Sequence, residues 1–365
     1  MFLEKIVNTI NEIKYDVEYL KKSELPLVLF GNGALASHVR KLLLENKIQI
    51  SHVVVDDDYY ISNSFFHNHP IEREDDVLNL YPKLNVIIAY GNYLDKMAKF
   101  KKNPSVVRCI FFEPGAVVHV FVDYYNTVKK HAPELEKFYA QLADEHSRNL
   151  MIAFINAKIS GNPKVLVNLN ISDEQQYFPE FLHLSSEEIF VDCGAYTGDT
   201  ILSFIKKTQG KYSKIYAFEP DKNNVEKLKK NTFQFNNIDI IEKGCFSCKK
   251  NLLFQDGVGD SSAVSSQGNI EIEVDAIDNI VPEKITFIKM DVEGCELEAL
   301  KGVQNTISSY HPPRLAISLY HRSDDFYTIP QFISTLNDSY KFYLRHYGIH
   351  STELVLYAIP EDTFA

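Results

Sequence analysis

The sequence predicts an α/β protein made of two units, each a parallel sheet covered by helices. Short apolar runs rich in β-branched and aromatic residues end at glycine or acidic residues, and helical periodicity follows each run. This pattern occurs near residue 30 and again near residue 190, and the chain between the two units shows helical periodicity alone. We therefore expect a first unit over residues 1–122, a helical connector over 123–170 and a second unit over 171–365.

In the first unit, residues 1–22 have apolar positions that predict a single amphipathic helix. Strands are predicted at 27–30, 50–55 and 85–90. Gly31 and Gly33 belong to a Gly-x-Gly-x-x-Ala turn, and Asp56 lies 23 residues beyond Gly33. This spacing predicts a nucleotide or nucleotide-sugar site at these three residues. The same turn occurs where a helix packs tightly on a strand, so a scaffold or dimerisation role stays open.

The second unit is organised around a predicted strand that ends at Asp192 and a turn that contains Gly194 and Gly198. Glycine adopts positive φ and lets a ligand approach the backbone. A second predicted strand ends at Glu219, 27 residues beyond Asp192, close to the spacing at which an acid meets ribose hydroxyls. The turn lacks the three glycines that bring a pyrophosphate to a helix. A cofactor with a ribose but no phosphate, such as S-adenosylmethionine, fits this pattern.

Four polar residues of the second unit follow predicted strands. These strands span 189–192, 214–218, 238–241, 270–275, 285–290 and 315–320, with a closing antiparallel pair at 343–347 and 353–358. Asp192, Glu219, Asp291 and His321 lie at carboxyl ends of strands, the edge at which open α/β sheets bind ligands. We expect the active site there.

The composition bounds the class of protein. With 45% hydrophobic and 24% charged residues, the chain has the profile of an ordinary globular protein. A net charge of −11 argues against nucleic-acid binding by phosphate neutralisation. No apolar run reaches the roughly 18 to 20 residues of a membrane span, and Glu4 and Lys5 would interrupt an export signal. Five scattered cysteines favour reduced thiols, so we expect a cytoplasmic protein.

Several motifs occur in a fixed order between residues 173 and 358. They are Gln-Tyr-Phe-Pro at 176–179, Phe-Val-Asp-Cys-Gly-Ala-Tyr-Thr-Gly-Asp-Thr at 190–200, Ala-Phe-Glu-Pro at 217–220, Lys-Met-Asp-Val-Glu-Gly-Cys-Glu at 289–296, Leu-Arg-His-Tyr at 344–347 and Leu-Tyr-Ala at 356–358. In these motifs about half of the chain resembles the FkbM-type S-adenosylmethionine-dependent methyltransferases. The resemblance implies a Rossmann-like class I methyltransferase fold ending in an antiparallel hairpin. The first unit more loosely resembles the Rossmann-like domain that precedes sugar-modifying acetyltransferases.

The same resemblance assigns the cofactor site. The glycine turn would hold the methionine part of S-adenosylmethionine, Glu219 would hold its ribose, and the turn at residues 244–246 would lie near its adenine. The residues expected to bind the cofactor are Asp192, Cys193, Gly194, Ala195, Gly198, Asp199, Thr200, Glu219, Pro220, Gly244, Cys245, Phe246 and Asp291.

Methyl transfer to a hydroxyl calls for a group that takes the proton, and the candidate catalytic residues are His321 and Asp291. An imidazole has an ordinary pKa near 6.5, suited to a base at neutral pH. Each residue also has a structural interpretation, His321 as a hydrogen-bonded histidine at a sheet edge and Asp291 as a helix N-cap. Lys289 either faces solvent or pairs with an acid.

We predict no metal site from the sequence. Asp291, Glu293, Asp256 and Asp260 could share a pocket, which would allow a metal-dependent variant, but scattered carboxylates are common in an acidic protein. The Cys-x-x-Cys spacing at residues 245–248 lacks the further ligands of a zinc site.

The sequence therefore predicts an O-methyltransferase of the EC 2.1.1 class that uses S-adenosylmethionine and modifies a hydroxyl of a sugar or glycan precursor. Its partner would be a small-molecule or glycan acceptor, not a nucleic acid. One alternative is an oxidoreductase that binds a nucleotide at the N-terminal glycine turn. A second alternative is a non-catalytic binding protein, and the formation of a homo-oligomer is left open.

Overall fold

The computed structural model describes residues 2–113, 124–255, 263–264 and 270–361. Within these ranges the chain forms three sheets, two of them largely parallel and flanked by helices, so the predicted α/β class is confirmed. The expected boundary near residue 122, and the residues Asp256 and Asp260 considered for a metal, lie outside the described residues. In the described ranges, no helix combines the length and apolar character that crossing a bilayer requires.

Both units contain helices and strands. The helices are α1 Glu12–Lys22, α2 Ala34–Glu45, α3 Glu74–Leu78, α4 Tyr93–Lys102, α5 Tyr124–Lys130, α6 Ala132–Gln141, α7 Glu145–Ser160, α8 Asp199–Lys207, α9 Lys222–Thr232, α10 Ile277–Ile280, α11 Glu296–Lys301, α12 Gln304–Ile307 and α13 Asp325–Leu336. The strands are β1 Leu27–Phe30, β2 His52–Val55, β3 Phe65–Phe66, β4 His69–Arg73, β5 Leu84–Ile88, β6 Val106–Phe111, β7 Ile189–Cys193, β8 Lys214–Phe218, β9 Ile238–Ile241, β10 Gly244–Cys245, β11 Lys250–Gln255, β12 Ala263–Val264, β13 Ile270–Asp275, β14 Phe287–Met290, β15 Arg314–Ser318, β16 Tyr340–His346 and β17 Leu354–Pro360. Short 3₁₀ turns occur at Leu3–Lys5, Asp57–Tyr59, Pro163–Leu169, Asp173–Gln175 and Glu180–Leu182.

The first sheet has the strand order β3-β4-β2-β1-β5-β6. All neighbours pair in parallel except β3 and β4. The sequence predicted β1, β2 and β5 but not β3, β4 or β6. Strand β3 has only two residues, β4 reads His-Pro-Ile-Glu-Arg, and β6 carries Arg108 within its apolar residues, so none of the three is a long continuous apolar run.

Residues 1–22 do not form the single predicted helix. A 3₁₀ turn and an extended segment precede α1, which starts at Glu12. Phe2 and Ile6 pack into the core of the second unit, and the side chain of Asn156 in α7 accepts from Val7 N and Asn8 N at 3.1 and 2.9 Å. The prediction was wrong because helical periodicity does not reveal that the first residues and α1 pack against different cores.

The second sheet is the frame of the candidate site. Its order is β16-β17-β15-β14-β7-β8-β9, and strands β7, β8 and β9 pair in parallel on one side of β14. Strand β17 runs antiparallel to both β15 and β16, which confirms the predicted closing hairpin. In the parallel register Lys289 of β14 lies opposite Asp192 of β7.

A third, smaller sheet has the order β10-β13-β11-β12. Strand β10 pairs in parallel with β13, and β11 pairs antiparallel with β13. The alternation at residues 270–275 predicted β13, and the structure has that strand. Strand β10 ends at Cys245, and Phe246 follows it directly.

Helices α5, α6 and α7, which lie between β6 and β7 in the chain, pack on the second unit. Leu135, Phe138 and Phe154 join the same core as Phe326 and Phe342. The hydroxyl of Ser147 in α7 accepts from Leu344 N at 2.9 Å, which fixes the helix on the edge strand β16. The helical connector thus covers one face of the second sheet.

Hydrogen bonds join the first unit to the closing hairpin. The Glu113 side chain is buried and accepts from both the backbone N and the hydroxyl of Ser351 at 2.9 Å. His350 in the same hairpin loop lies 2.8 Å from the carbonyl oxygen of Gly91 through its Nε2. The loop between β16 and β17 is therefore held by residues of both units.

A buried ion pair secures the amino edge of the second sheet. The Arg314 guanidinium lies 2.5 Å from Glu188 Oε2, and Arg314 also donates to the carbonyl oxygen of Leu182 at 2.6 Å. Burial raises the pKa of Glu188, but the Arg314 charge and the hydrogen bonds from Arg314, Thr286 and Ser185 outweigh it and hold the pKa below its ordinary value. The folded state therefore favours the ionised carboxylate.

Replacing Arg314 by methionine should lower the free energy of unfolding at pH 7 by about 3–5 kcal/mol, because a buried carboxylate loses its cation. Because the pKa of Glu188 is lower in the folded than in the unfolded chain, the ionised carboxylate stabilises the fold at pH values above the unfolded pKa, which is 4.5 for glutamate. This stabilisation is lost as the pH falls through the pKa of the folded state. Urea unfolding of wild type and Arg314→Met at pH 7 and near pH 3.5 measures this, and the difference should shrink in acid.

The matched control for that prediction is Lys341→Met, which removes an exposed ion pair with Glu361. Such a pair contributes about 0–1 kcal/mol. Equal losses of stability in the two variants would contradict a special role for the Glu188–Arg314 pair.

Candidate active site

The backbone of two neighbouring strands fixes the turn after β7. Gly194 N and Ala195 N both donate to the carbonyl oxygen of Phe218, at 3.0 and 2.9 Å. Gly194 has a φ of +79°, and a Cβ at this position would lie 2.0 Å from the carbonyl oxygen of Asp291. Glycine is required here because β14 passes too close for a side chain.

A buried ion pair lies behind this turn. Lys289 Nζ is 3.1 Å from Asp192 Oδ1 and donates to the carbonyl oxygen of Gly194 at 2.7 Å. Burial raises the pKa of Asp192 to about 6 although Lys289 opposes the shift. Burial acts to lower the pKa of Lys289, but the carboxylates of Asp192 and Asp291 raise it above its ordinary value. Both members of the pair are therefore charged at neutral pH.

A cavity of about 580 Å³ opens at the carboxyl edge of the second sheet. Small-molecule sites span roughly 300–1,000 Å³. Among the described residues, its wall carries six carboxylates and two ammonium groups, namely Asp199, Glu219, Asp221, Asp291, Glu293, Glu353, Lys227 and Lys289. This excess of negative charge suits a cationic ligand and disfavours a phosphate-bearing one.

Glu219 connects the glycine turn to the segment after β8. Its Oε2 accepts from Tyr196 N at 2.8 Å and its Oε1 accepts from Asp221 N at 2.9 Å. Burial raises the pKa of Glu219 despite these hydrogen bonds. Each carboxylate oxygen can accept a second hydrogen bond, so Glu219 still has capacity for ligand hydroxyls in the cavity that it lines.

An apolar slot adjoins Glu219. Pro220, Phe246, Ile272 and Val274 line it, and a Cβ on Gly244 would lie 3.0 Å from Val274 Cγ1. The slot is formed where the small sheet meets the carboxyl end of β8. The apolar side chains that line the slot are suited to contact an aromatic ring system.

The opposite end of the cavity is polar. Tyr177 OH donates to Asp291 Oδ2 at 2.8 Å, and Gln176 Nε2 donates to Glu353 Oε2 at 2.6 Å. Four lining residues other than glycine have positive φ, namely Tyr177, Tyr196, Glu293 and Glu353. Left-handed backbone is costly for such residues and clusters at functional sites. The backbone is strained at several points around this one cavity.

His321 lies behind Asp291 and does not line the cavity. Its Nδ1 is 2.9 Å from Glu296 Oε1, and its Nε2 is 3.4 Å from Asp291 Oδ1 and 3.5 Å from Glu293 Oε2. Burial opposes the charged imidazole, but the Glu296 hydrogen bond and the surrounding carboxylates raise the pKa of His321 to about 9. Burial raises the pKa of Glu293 to about 7.

The structure gathers most of the predicted site residues around the cavity. The lining residues are Gly194, Asp199, Thr200, Glu219, Pro220, Gly244, Cys245, Phe246 and Asp291. The predicted residues that do not line it are Asp192, Cys193, Ala195, Gly198 and His321. Gly198 has a φ of +91° and faces Leu228, so its role is in helix packing. The ligand roles assigned from the sequence stay predictions.

Sequence reasoning did not assign several lining residues. Gln176, Tyr177 and Glu293 belong to motifs that carried the resemblance, so a signal for them existed. Lys289 was left open, and its pairing with Asp192 depends on the register of β14 against β7. No local pattern marks Glu353, which reaches the cavity from the closing hairpin.

Packing explains the first glycine of the N-terminal turn. Gly31 has a φ of +117°, and a Cβ there would lie 2.4 Å from the carbonyl oxygen of Ala89. The Asp56 carboxylate is paired with Lys96 of α4. Gly31 and Asp56 thus have partners within the first unit, whereas a Cβ on Gly33 would meet open space.

The seven-stranded sheet with one antiparallel strand and a cavity at its carboxyl edge defines a class I methyltransferase fold. Residues 192–344 match the family described as the methyltransferase FkbM domain. The protein is a methyltransferase that uses S-adenosylmethionine. A comparison with curated protein sequences found no match.

Comparison with solved structures found similar chains. The chain is similar to the methyltransferase FkbM of Methylobacillus flagellatus KT, with 25% identity, a TM-score of 0.79 and 98% of each chain covered. An rRNA methylase from Streptococcus thermophilus has 18% identity and a TM-score of 0.34, covering 50% of this chain and 92% of its own. A Streptococcus mutans protein solved with SAH has 16% identity and a TM-score of 0.32, covering 48% of this chain and 90% of its own.

The residues present fit S-adenosylmethionine. The carboxylate-rich wall suits a ligand that carries an ammonium and a sulfonium, and the apolar slot beside Glu219 suits adenine. Asp192 Oδ2 is a buried oxygen without a hydrogen-bond partner among the described residues, next to the turn assigned to the methionine part. Glu219 keeps acceptor capacity for ribose hydroxyls.

The close approach at Gly194 can be separated from its positive φ. Gly210 has a similar φ of +74° with open space around its Cβ position. Replacing Gly210 by alanine should cost about 1–2 kcal/mol of unfolding free energy through backbone strain alone. Gly194→Ala should cost about 1–3 kcal/mol more, since the new methyl group overlaps the Asp291 carbonyl. Urea unfolding of both variants measures the difference, and equal losses would contradict the packing argument.

Proposed function

We propose that the protein transfers the methyl group of S-adenosylmethionine to a hydroxyl oxygen of a sugar or glycan precursor. The observation that carries this proposal is the polar end of the cavity, where Asp291 lies between Tyr177 and the His321 imidazole. Carboxylate, amide and phenol groups there offer hydrogen bonds that suit a polyhydroxylated acceptor.

Asp291 would hold the acceptor and take its proton. It lines the cavity, whereas His321 does not, so Asp291 can contact the reacting hydroxyl directly. Tyr177 OH donates to Oδ2 of Asp291 and restricts the carboxylate to one orientation. His321 is then a positioning residue that acts through Asp291.

The cofactor supplies an electrophilic methyl group on a sulfonium and becomes a neutral thioether on transfer. The acceptor oxygen forms the new O–C bond as the C–S bond breaks, and the hydroxyl proton passes to the Asp291 carboxylate. Alignment of oxygen, carbon and sulfur can contribute several kcal/mol. General-base help adds about two to four orders of magnitude in rate.

The charge of the cavity disfavours the other functions considered. A nucleic-acid acceptor or a dinucleotide cofactor would bring phosphates to a wall with six carboxylates among the described residues. In the first unit, the glycine turn and Asp56 are already engaged by Ala89 and Lys96. These contacts support placing the activity in the second unit. The scattered cysteines support a cytoplasmic location, where thiols stay reduced.

Glu219→Gln should weaken S-adenosylmethionine binding about 10- to 100-fold, because hydrogen bonds to a charged acceptor are lost. Calorimetric titration of the cofactor into wild type and variant measures this. Glu226→Gln, an exposed glutamate on the neighbouring helix α9, is the control and should bind as wild type does. Unchanged affinity in Glu219→Gln would place the ribose elsewhere.

Asp291→Asn should lower turnover about 10²- to 10⁴-fold while the cofactor dissociation constant changes little, since the variant keeps its shape but cannot take a proton. Formation of S-adenosylhomocysteine with methyl glycosides as acceptors, followed by mass spectrometry, measures turnover. Asp338→Asn, at an exposed position of the same unit, is the control. Methylation of amines but of no hydroxyl acceptor would overturn the proposed reaction.

A further inference from the structure

Three potential metal ligands converge at the polar end of the cavity. One ligand atom from each of Asp291, Glu293 and His321 lies within 4.8 Å of the other two. His321 Nε2 is 3.4 Å from Asp291 Oδ1 and 3.5 Å from Glu293 Oε2. A point equidistant from three atoms at such separations lies about 2.0–2.4 Å from each, the range of bonds from nitrogen and oxygen ligands to divalent cations.

One buried oxygen of this group lacks a hydrogen bond. Asp291 Oδ1 is buried without a hydrogen-bond partner in the described part of the chain. The His321 side chain is 10% exposed, and its Nε2 has only the long contacts of 3.4 and 3.5 Å to Asp291 Oδ1 and Glu293 Oε2. Since buried polar atoms normally have hydrogen-bond partners, the unpaired Asp291 oxygen indicates a missing ligand.

A fourth residue sets the orientation of the imidazole. Glu296 is fully buried, and its Oε1 lies 2.9 Å from His321 Nδ1. The same oxygen accepts from Val292 N at 3.0 Å and from Gly294 N at 3.3 Å. A carboxylate on the far nitrogen of a histidine is the usual support of a metal-ligating imidazole. Glu296 thus fixes both the histidine and the loop that carries Asp291 and Glu293.

The backbone of that loop turns the ligands toward each other. Glu293 has a φ of +53° and Gly294 a φ of +89°, so two successive residues are left-handed between β14 and α11. This conformation is costly for glutamate and is retained where the surroundings require it. It places the Glu293 carboxylate beside His321 and on the wall of the cavity.

We infer that Asp291, Glu293 and His321 bind a divalent cation of the Mn²⁺ or Mg²⁺ type, and that this cation holds two adjacent hydroxyls of the acceptor. Two carboxylates with one imidazole suit such a cation. Three protein ligands leave positions open toward the cavity, because Asp291 and Glu293 line it and His321 lies behind them. The inference rests on the proposed function and narrows its acceptors to vicinal diols; the transfer step and its proton acceptor stay as described.

The test is binding of Mn²⁺ alone to metal-stripped full-length protein, measured by loss of the free-ion paramagnetic resonance signal and by calorimetry. Wild type should bind one ion. Glu293→Gln should weaken binding at least about 10-fold, and Glu296→Gln about 10- to 100-fold as for a support of a ligating histidine. His311→Gln, an exposed histidine of the same unit, should bind as wild type does.

Two outcomes would overturn the site. One is that Mn²⁺, Mg²⁺, Ca²⁺ and Zn²⁺ all fail to bind wild type, which would mean that His321 is a protonated partner of two carboxylates. The other is Mn²⁺ binding that Glu293→Gln leaves unchanged. The Glu293 side chain is 35% exposed, so we expect the Glu293→Gln variant to fold. Binding of S-adenosylmethionine by the variant reports whether it is folded.

The acceptor class is tested with a methyl glycoside that carries a free vicinal diol and with its deoxy analogue. Mn²⁺ should lower the apparent KM for the diol and leave that for the deoxy compound unchanged. Equal effects on both would overturn diol binding. Failure of the metal site is distinguishable from failure of the proposed function, because metal-free protein that binds S-adenosylmethionine and methylates a hydroxyl retains that function.

Discussion

The ion pair between Lys289 and Asp192 is the interaction on which the rest of the site depends. Lys289 is 3% exposed and Asp192 is fully buried, so neither charge is solvated by water. Removing one partner from such a pair leaves an uncompensated charge in the protein interior, which is strongly destabilising. Because Lys289 Nζ also donates to the Gly194 carbonyl oxygen, the same ammonium joins β14, β7 and the glycine turn. Asp291 follows directly after β14, so its position depends on this junction.

The second sheet has a buried ion pair at each edge, with different consequences. At the amino edge, Glu188 and Arg314 tie β7 and β15 to the segment before them and do not line the candidate-site cavity. At the carboxyl edge, Lys289 pairs with Asp192 while it also lines the cavity. Open α/β sheets bind ligands at their carboxyl edge. Polar groups buried at one edge therefore serve stability, whereas those at the other edge also shape a binding site.

The central strands and the glycine turn could be predicted because their signals are local. The apolar runs of β7, β8 and β14 and the acids that follow them lie next to each other in the sequence. The partner of Lys289 could not be predicted, since it is set by the register between strands 97 residues apart. The same holds for Glu353, which reaches the cavity from the closing hairpin, and for Phe2, which packs beside helices far along the chain. Local periodicity identifies elements but not the core that each one joins.

The contact between Glu113 and Ser351 makes the cavity a joint product of the two units. Ser351 and His350 are bonded to the first unit, and Glu353 follows two residues later on the wall of the cavity. The residues predicted to bind the cofactor lie in the second unit, whereas the hairpin loop that carries Glu353 is held from the first unit. A chain shortened to the second unit would keep the predicted cofactor residues and lose the contacts that hold the loop of Glu353.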